Sequence, residues 1–174
     1  AYSRGVQQDG YITTVNYSSS NIGKSISSDA TLHHDNVRSG YHSFIKISDS
    51  TFVLAYEGED SDGYLKTFII SNDGKSINQK IALEHDASHG LHNSLIHLYD
   101  NIYVLAYSGV DNDGFISTFT IPRDGSSITK IATFEHDEND NYDNSLIRVD
   151  QKTVALAYRG KDNDGYVKVF EVSN

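Results

Sequence analysis

VLAYSGVDNDG (residues 104–114) has two close copies in the chain and one worn copy: VLAYEGEDSDG (residues 53–63), ALAYRGKDNDG (residues 155–165) and AYSRGVQQDG (residues 1–10). The Ala-Tyr pairs in these four copies are spaced by 54, 51 and 51 residues. The three extra residues of the first copy fall in predicted turns, where insertions are tolerated while paired strands keep their register. A fixed period of this length is typical of arrays built from one supersecondary unit.

Each repeat predicts four antiparallel strands. In the best-preserved repeat they cover residues 93–100, 102–109, 115–121 and 128–137. Asp-Gly between apolar runs is the strongest short signal for a hairpin, and no stretch keeps the 3.6-residue period of a helix. The second strand is apolar on both faces, which predicts that it is covered on both sides; one face carries Tyr103, Leu105 and Tyr107, and the other carries Val104 and Ala106.

These features predict an all-β fold, a β-propeller of four-stranded antiparallel blades. The single domain covers residues 1–174 and comprises about 3.5 blades: a partial blade at 1–36, blades at 37–87 and 88–138, and a partial blade at 139–174. The corresponding strand numbers are three, four, four and three. The alternative is a β-trefoil, whose repeats also have four strands but which does not account for the partial fourth copy.

Two turns carry a family resemblance. SNDGKSI (residues 71–77) and PRDGSSI (residues 122–128) resemble a degenerate Asp-box, the turn between the third and fourth strands of many propeller blades. The whole repeat is similar to the VLAY…DG propeller repeats of secreted and surface proteins of microbes. The resemblance implies a propeller and leaves the function open, because propellers host unrelated activities. The sequence departs from the pattern in having no Trp after the turn and, in SNIGKSI (residues 20–26), no Asp.

The composition narrows the class of protein. The net charge of −10 argues against binding to a nucleic-acid backbone, and no apolar run approaches the roughly 18 residues of a membrane span. The chain contains no cysteine and no methionine. A chain without an initial methionine indicates a processed product, which predicts secretion or surface display after signal-peptide removal; an excised piece of a longer repeat array is the alternative.

The two ends carry the same hairpin, at residues 1–18 and 157–174. The predicted first blade therefore lacks its innermost strand, and the last blade lacks its outermost strand. Unpaired strand edges are templates for another chain, and contacts that do not close produce filaments. The sequence predicts a non-enzymatic extracellular structural protein that self-assembles into filaments or rings by strand-edge pairing of these segments; a compact four-bladed monomer is the alternative.

The acidic turns are the candidate metal sites. Alternating carboxylates in a tight Gly-ended turn supply oxygen ligands of the kind that calcium prefers. The residues that would bind it are Asp60, Asp62, Asp111, Asp113, Asp162 and Asp164. The alternative is that Asp, Asn and Gly only form the turn, since their side chains bond to the local backbone.

Histidine-aspartate pairs recur at His34-Asp35, His85-Asp86 and His136-Asp137. Neighbouring residues on a strand face opposite ways, so each pair is not expected to act as one catalytic couple. Their recurrence indicates a structural role, in which the imidazole ties its strand to the next blade near Ser43, Ser94 or Ser145. His89 and His92 break the pattern and are the better candidates for a specific role.

An enzyme is not expected. Sialidase-like propellers use an arginine cluster, whereas the five arginines here occupy unrelated repeat positions, and no phosphate loop or nucleophile elbow occurs. The alternative function is a multivalent carbohydrate-binding lectin or adhesin, in which weak glycan sites repeat in equivalent loops. Tyr41 and Tyr142 are the aromatic residues predicted on the loop surface.

Overall fold

A computed structural model describes residues 1–4, 8–17 and 26–173. These residues form four antiparallel sheets of three, four, four and three strands, which confirms the all-β prediction and the predicted strand numbers. The strands are β1 (Tyr2–Arg4), β2 (Asp9–Tyr17), β3 (Ile26–Asp35), β4 (Gly40–Lys46), β5 (Thr51–Glu57), β6 (Gly63–Ile70), β7 (Ile77–Asp86), β8 (Leu91–Tyr99), β9 (Ile102–Ser108), β10 (Gly114–Thr120), β11 (Thr129–Asp137), β12 (Tyr142–Arg148), β13 (Thr153–Arg159) and β14 (Gly165–Glu171).

Helical structure in the described residues is limited to single 3₁₀ turns at the acidic loops, Glu59–Ser61, Val110–Asn112 and Lys161–Asn163. None of the helical segments in this part of the chain is long and apolar enough to cross a membrane.

Each sheet is a meander of strands that follow one another in the sequence. No described sheet combines strands from two repeats, as the shared barrel of a β-trefoil would, and none combines strands from both ends of the chain. The innermost strands β4, β8 and β12 lie side by side. A serine hydroxyl joins each adjacent pair: Ser43 accepts a hydrogen bond from the Leu95 amide, and Ser94 accepts one from the Leu146 amide, both at 2.9 Å.

Three apolar clusters lie between consecutive sheets and form the core. We call the face of a sheet that contacts the preceding sheet its leading face; in the second and third sheets it carries Leu54, Tyr56, Phe68, Leu105, Tyr107 and Phe119. The opposite, trailing face contacts the following sheet; in the same two sheets it carries Val53, Ala55, Leu65, Val104, Ala106 and Ile116.

The second strand of each complete sheet is buried on both faces, as predicted. In β9, Tyr103, Leu105 and Tyr107 belong to the cluster between the second and third sheets. Val104 and Ala106 belong to the cluster between the third and fourth sheets. The continuous apolar pattern of this strand therefore reports cover from both neighbours.

The turns after the third strands contact the preceding sheet. Gly74 and Gly125 have φ of +73° and +65°, the left-handed region that favours glycine. Their carbonyls accept hydrogen bonds from the hydroxyls of Thr14 (2.5 Å) and Thr67 (2.9 Å) on the sheets before them. The predicted equivalent turn of the first repeat, at residues 20–25, lies outside the described residues.

Candidate functional site

The acidic turns and the connections between sheets meet on one face. The amides of Ser39, Gly90 and Asn141, in the connections, donate to the carbonyls of Gln8, Ser61 and Asn112 in the turns, at 2.9–3.0 Å. We call this surface the loop face; it consists of these turns and of the connections after β3, β7 and β11. The backbone hydrogen bonds fix each connection to the turn of its own sheet.

The D-x-D-G turns have one backbone geometry in three copies. Asp60, Asp111 and Asp162 lie at φ of 53°, 56° and 59°, a left-handed conformation that Asp and Asn tolerate better than other side chains. The amide of Asp62 closes its turn by donating to the Glu59 carbonyl at 2.9 Å. Turn formation therefore accounts for the first Asp of each pair.

The second Asp of each pair, Asp62, Asp113 or Asp164, has an extended backbone. Partial burial and the nearby carboxylates of Glu84, Asp60 and Asp86 raise the pKa of Asp62. Among the described residues, no group of three or more His, Cys, Asp or Glu side chains is arranged to hold a metal ion. Calcium binding by the six aspartates thus stays a prediction. Its physical basis is the repulsion between nearby carboxylates, which a bound cation would relieve.

The two members of each His-Asp pair have separate roles. One oxygen of Asp86 accepts hydrogen bonds from the Ser88 and His89 amides and so shapes the connection. The other oxygen accepts the hydroxyl proton of Tyr107 on the next sheet at 3.1 Å. The same cross-sheet contact joins Tyr56 to Asp35 (2.7 Å) and Tyr158 to Asp137 (2.5 Å). The aspartate is therefore the residue that fastens consecutive sheets.

The imidazoles are packed rather than hydrogen-bonded. His34, His85 and His136 lie edge-on to tyrosines of the next sheet, with ring centroids 4.9–5.2 Å apart. Neither ring nitrogen of these histidines has a hydrogen-bond partner among the described residues. Burial lowers the pKa of His34 and His85 to about 3 and that of His136 to about 4, so all three are neutral. The predicted tie of imidazole to serine is wrong, because Ser43 and Ser94 accept backbone amides instead.

Lysines complete the junctions, and sequence reasoning missed them. Lys66 and Lys168 donate to the carbonyls of His34 and His136 at 2.7 and 2.6 Å, and each also reaches the neighbouring aspartate. Burial alone would raise the pKa of Asp137, but hydrogen bonds from Tyr158 and Lys168 bring it down to about 2. The recurrence of lysine at one repeat position was the available signal.

Each innermost strand carries a bulge at its start, where the three repeats differ in side chain. Tyr41, His92 and Asp143, the bulge row, have φ of 47°, 50° and 56°, at irregularities in the pairing of β4, β8 and β12. Left-handed backbone at a bulky aromatic residue is strained, and bulges often aim a side chain. The bulge row includes Tyr41 and His92, which the sequence had singled out.

The bulge row forms a continuous contact across three sheets. The ring centroids of Tyr41 and His92 are 4.1 Å apart. Nδ1 of His92 accepts a hydrogen bond from the Asp143 amide at 3.2 Å. Arg159 donates to Asp143 at 2.9 Å and lies over the Tyr142 ring at 4.6 Å. Arg159 lowers the pKa of Asp143 and keeps it ionised. An exposed aromatic ring beside fixed charges can bind a polar ligand with an apolar face.

The trailing face of the fourth sheet is open. It carries Ile147, Ala155, Val167 and Val169, and its valines are 73% and 66% exposed. Ile116 occupies the position of Val167 in the third sheet and is only 8% exposed, because the fourth sheet covers it. The fourth sheet therefore has the apolar trailing face of an inner sheet, but no described residues form a following sheet that covers it.

A groove of about 460 Å³ runs beside β14, between the third and fourth sheets. Its lining includes Ile116, Thr118, Ala132, Phe134, Phe170 and Val172. In the described chain β14 pairs only with β13, so its other edge faces the groove.

Comparison with known proteins supports the fold alone. No protein-family model matches the chain, and no curated protein does. A crystal structure of a protein from Lactobacillus plantarum is similar, with 12% identity and a TM-score of 0.63. The match covers 92% of this chain and 50% of that one, so this chain spans about half the length of the solved protein. The class established here is an all-β protein of four antiparallel meander sheets.

Proposed function

We propose that each sheet is the blade of a β-propeller-type array, and that the protein is a non-enzymatic structural component of the cell surface or extracellular space which assembles with further copies of itself. The 51-residue period, the meander sheets and the adjacent innermost strands support the propeller assignment. The absence of cysteine and the acidic charge are compatible with extracellular life.

The open trailing face of the fourth sheet carries the assembly proposal. The exposed leading face of the first sheet is its counterpart, with Tyr2 40% and Val15 63% exposed. These two residues occupy the repeat positions of Tyr56 and Phe68, which are fully buried against the first sheet. The two end sheets thus carry the two halves of an interface that already joins sheets within the chain, and the occupant we propose for the open face is a second copy.

This contact is heterologous, because it joins different surfaces of identical chains. Such contacts close into rings or continue as filaments, depending on the rotation between copies. Burying a valine or isoleucine side chain contributes about 1.5–3 kcal/mol, from which the cost of association must be subtracted. A charge introduced at Val169 should therefore weaken association at least tenfold, since roughly 1.4 kcal/mol corresponds to a factor of ten.

Sedimentation velocity and negative-stain electron microscopy over a concentration series test the proposal. The unmodified protein should form assemblies that grow with concentration, and Val169→Lys should shift it to monomers. Val37→Lys is the matched control, since Val37 is an exposed valine (40%) on the loop face, and it should assemble normally. Monomers at every concentration of the unmodified protein, or undiminished assembly of Val169→Lys, would refute it.

The bulge row favours a second function, glycan binding. Tyr41 is 44% exposed and is held by His92, so its free ring face can stack on a sugar while Asp143 and Arg159 offer hydrogen bonds. A glycan array with the unmodified protein and Tyr41→Ala tests this function. Binding to a defined glycan that Tyr41→Ala loses supports a lectin, and no binding by either protein argues against it.

A further inference from the structure

The groove beside β14 lies where a fourth strand runs in the complete sheets. In the first three sheets, β2, β6 and β10 each pair with an outer strand, β3, β7 or β11. The equivalent strand β14 offers the groove a seven-residue edge, Gly165–Glu171. An unpaired strand edge supplies main-chain donors and acceptors to an added strand.

A hydroxyl marks one end of the groove. Thr14 and Thr67 each donate to the carbonyl of a turn glycine on the following sheet, Gly74 or Gly125. Thr118 lies 51 residues after Thr67 and lines the groove. The repeat therefore places a hydrogen-bond donor where an Asp-Gly turn would lie.

An apolar surface lies next along the groove. Ile77 is the first residue of β7 and Ile128 directly precedes β11. Each is 9% exposed and belongs to a cluster that includes Leu32 or Leu83 of the preceding sheet. Phe134 occupies the repeat position of Leu83 but is 60% exposed. Phe134 thus provides the apolar contact that the first isoleucine of an outer strand covers elsewhere.

A seat for an imidazole lies at the other end. A Cβ added at Gly10 or Gly114 would lie 2.6 Å from Cε1 of His34 or His136. The imidazole of the outer strand therefore fills the space beside each of these glycines. Gly165 is the fourth glycine of the series, and no atom of the described chain lies within 4 Å of such a Cβ. The space that a histidine fills in the other sheets is open here.

We propose that this groove is a binding site for an extended peptide segment of a separate polypeptide, which adds to β14 as an antiparallel strand. The segment carries an Asp-Gly turn, an isoleucine three residues after the glycine and a histidine eight residues after the isoleucine, the spacing of residues 71–87 and 122–138. This inference goes beyond the proposed assembly, since it concerns the edge of β14 and holds for a single copy of the chain.

The probe is a fluorescein-labelled peptide with the sequence of residues 71–87, SNDGKSINQKIALEHDA, titrated with the full chain at concentrations below those at which it assembles. Fluorescence anisotropy should show saturable binding, and hydrogen exchange of the β14 amides should slow. Peptide Ile77→Asp and protein Phe134→Lys should each weaken binding at least tenfold. Protein Phe134→Leu, which restores the residue type of position 83, should retain it.

A double-mutant cycle tests the imidazole seat separately. Gly165→Ala should weaken binding of the unmodified peptide about tenfold, because its methyl group occupies the space of the ring. With peptide His85→Ala, the Gly165→Ala and unmodified proteins should bind equally. No saturable binding, binding indifferent to Ile77→Asp, or an effect of Gly165→Ala that persists without the histidine would overturn the proposal. None of these outcomes depends on whether the protein assembles.

Discussion

Gly114 and Gly165 occupy the same repeat position and differ only in what lies over them. A Cβ at Gly114 would meet His136 Cε1 at 2.6 Å and Nε2 at 2.8 Å, and Asn141 Nδ2 at 2.9 Å. A Cβ at Gly165 would meet nothing within 4 Å. Neither glycine has the positive φ that would strain an alanine. The same substitution at the two sites should therefore have opposite effects on stability.

The magnitudes follow from packing and chain entropy. Alanine at a compatible glycine stabilises a protein by about 0.4–1 kcal/mol, because the unfolded chain has fewer conformations, so Gly165→Ala should gain this amount. Forcing a methyl group into a packed site costs about 1–3 kcal/mol. The His136 ring cannot yield freely, since it packs against Tyr158 and Phe170. The entropy gain is common to both variants and cancels in the comparison, so Gly114→Ala should be less stable than Gly165→Ala by about 1–3 kcal/mol.

Urea and thermal unfolding of the two variants and the unmodified chain provide the measurement. For a domain of this size, that difference corresponds to roughly 2–12 °C in Tm. Ser126→Ala on the exposed turn serves as a control for expression and handling. If Gly114→Ala were as stable as Gly165→Ala, the imidazole would not occupy its seat, and the repeated His–Gly contact would be refuted.

Three further predictions concern the junctions and the loop face. Because burial lowers the pKa of His34, His85 and His136, the unfolded chain binds protons below about pH 6.5 that the folded chain does not bind. The free energy of unfolding should therefore be constant above about pH 6.5 and should fall below it, by about 2 kcal/mol per fully buried histidine near pH 5. A melting temperature that does not change with acid would contradict this. Tyr107→Phe should cost about 1.5–3 kcal/mol in urea unfolding through the lost hydrogen bond to Asp86, and an unchanged midpoint would exclude that role. Millimolar calcium should raise Tm, and Asp62→Asn should reduce the rise. A calorimetric titration that shows no heat of binding, together with an unchanged Tm, would rule out calcium binding.

Much of the fold could be predicted because its determinants are local. The Asp-Gly turns fix the hairpins, and the two-sided apolar pattern of residues 102–108 already indicates that a sheet lies on each side. The convergence of turns and connections on one face also follows from the antiparallel order of the strands. What those patterns do not contain is the identity of the side chains that meet across a junction, because these lie 21–58 residues apart in sequence.

The bulge row shows a second limit. Positive φ at Tyr41, His92 and Asp143 has no local sequence signature, since these residue types have little in common. The register of the flanking pairs imposes the conformation, with Ser43 and Ser94 held by the next strand. The only trace in the sequence is that the residue type at this repeat position varies, whereas the serine two residues later is constant. Such variation marks a position where packing does not dictate the side chain.

The third sheet shows that the repeat preserves contacts rather than residues. Ser117 stands where the second and fourth sheets have Lys66 and Lys168, so the lysine that reaches a histidine carbonyl is missing from that strand. Lys130 supplies it from the adjacent strand and donates to the His85 carbonyl at 2.9 Å. The counterpart of Lys130 in the second sheet is Gln79, and there Lys66 donates to the histidine carbonyl instead. The paired exchange keeps an ammonium group on a histidine carbonyl at each of the three described junctions, which indicates that the junction is the unit on which the repeat is built.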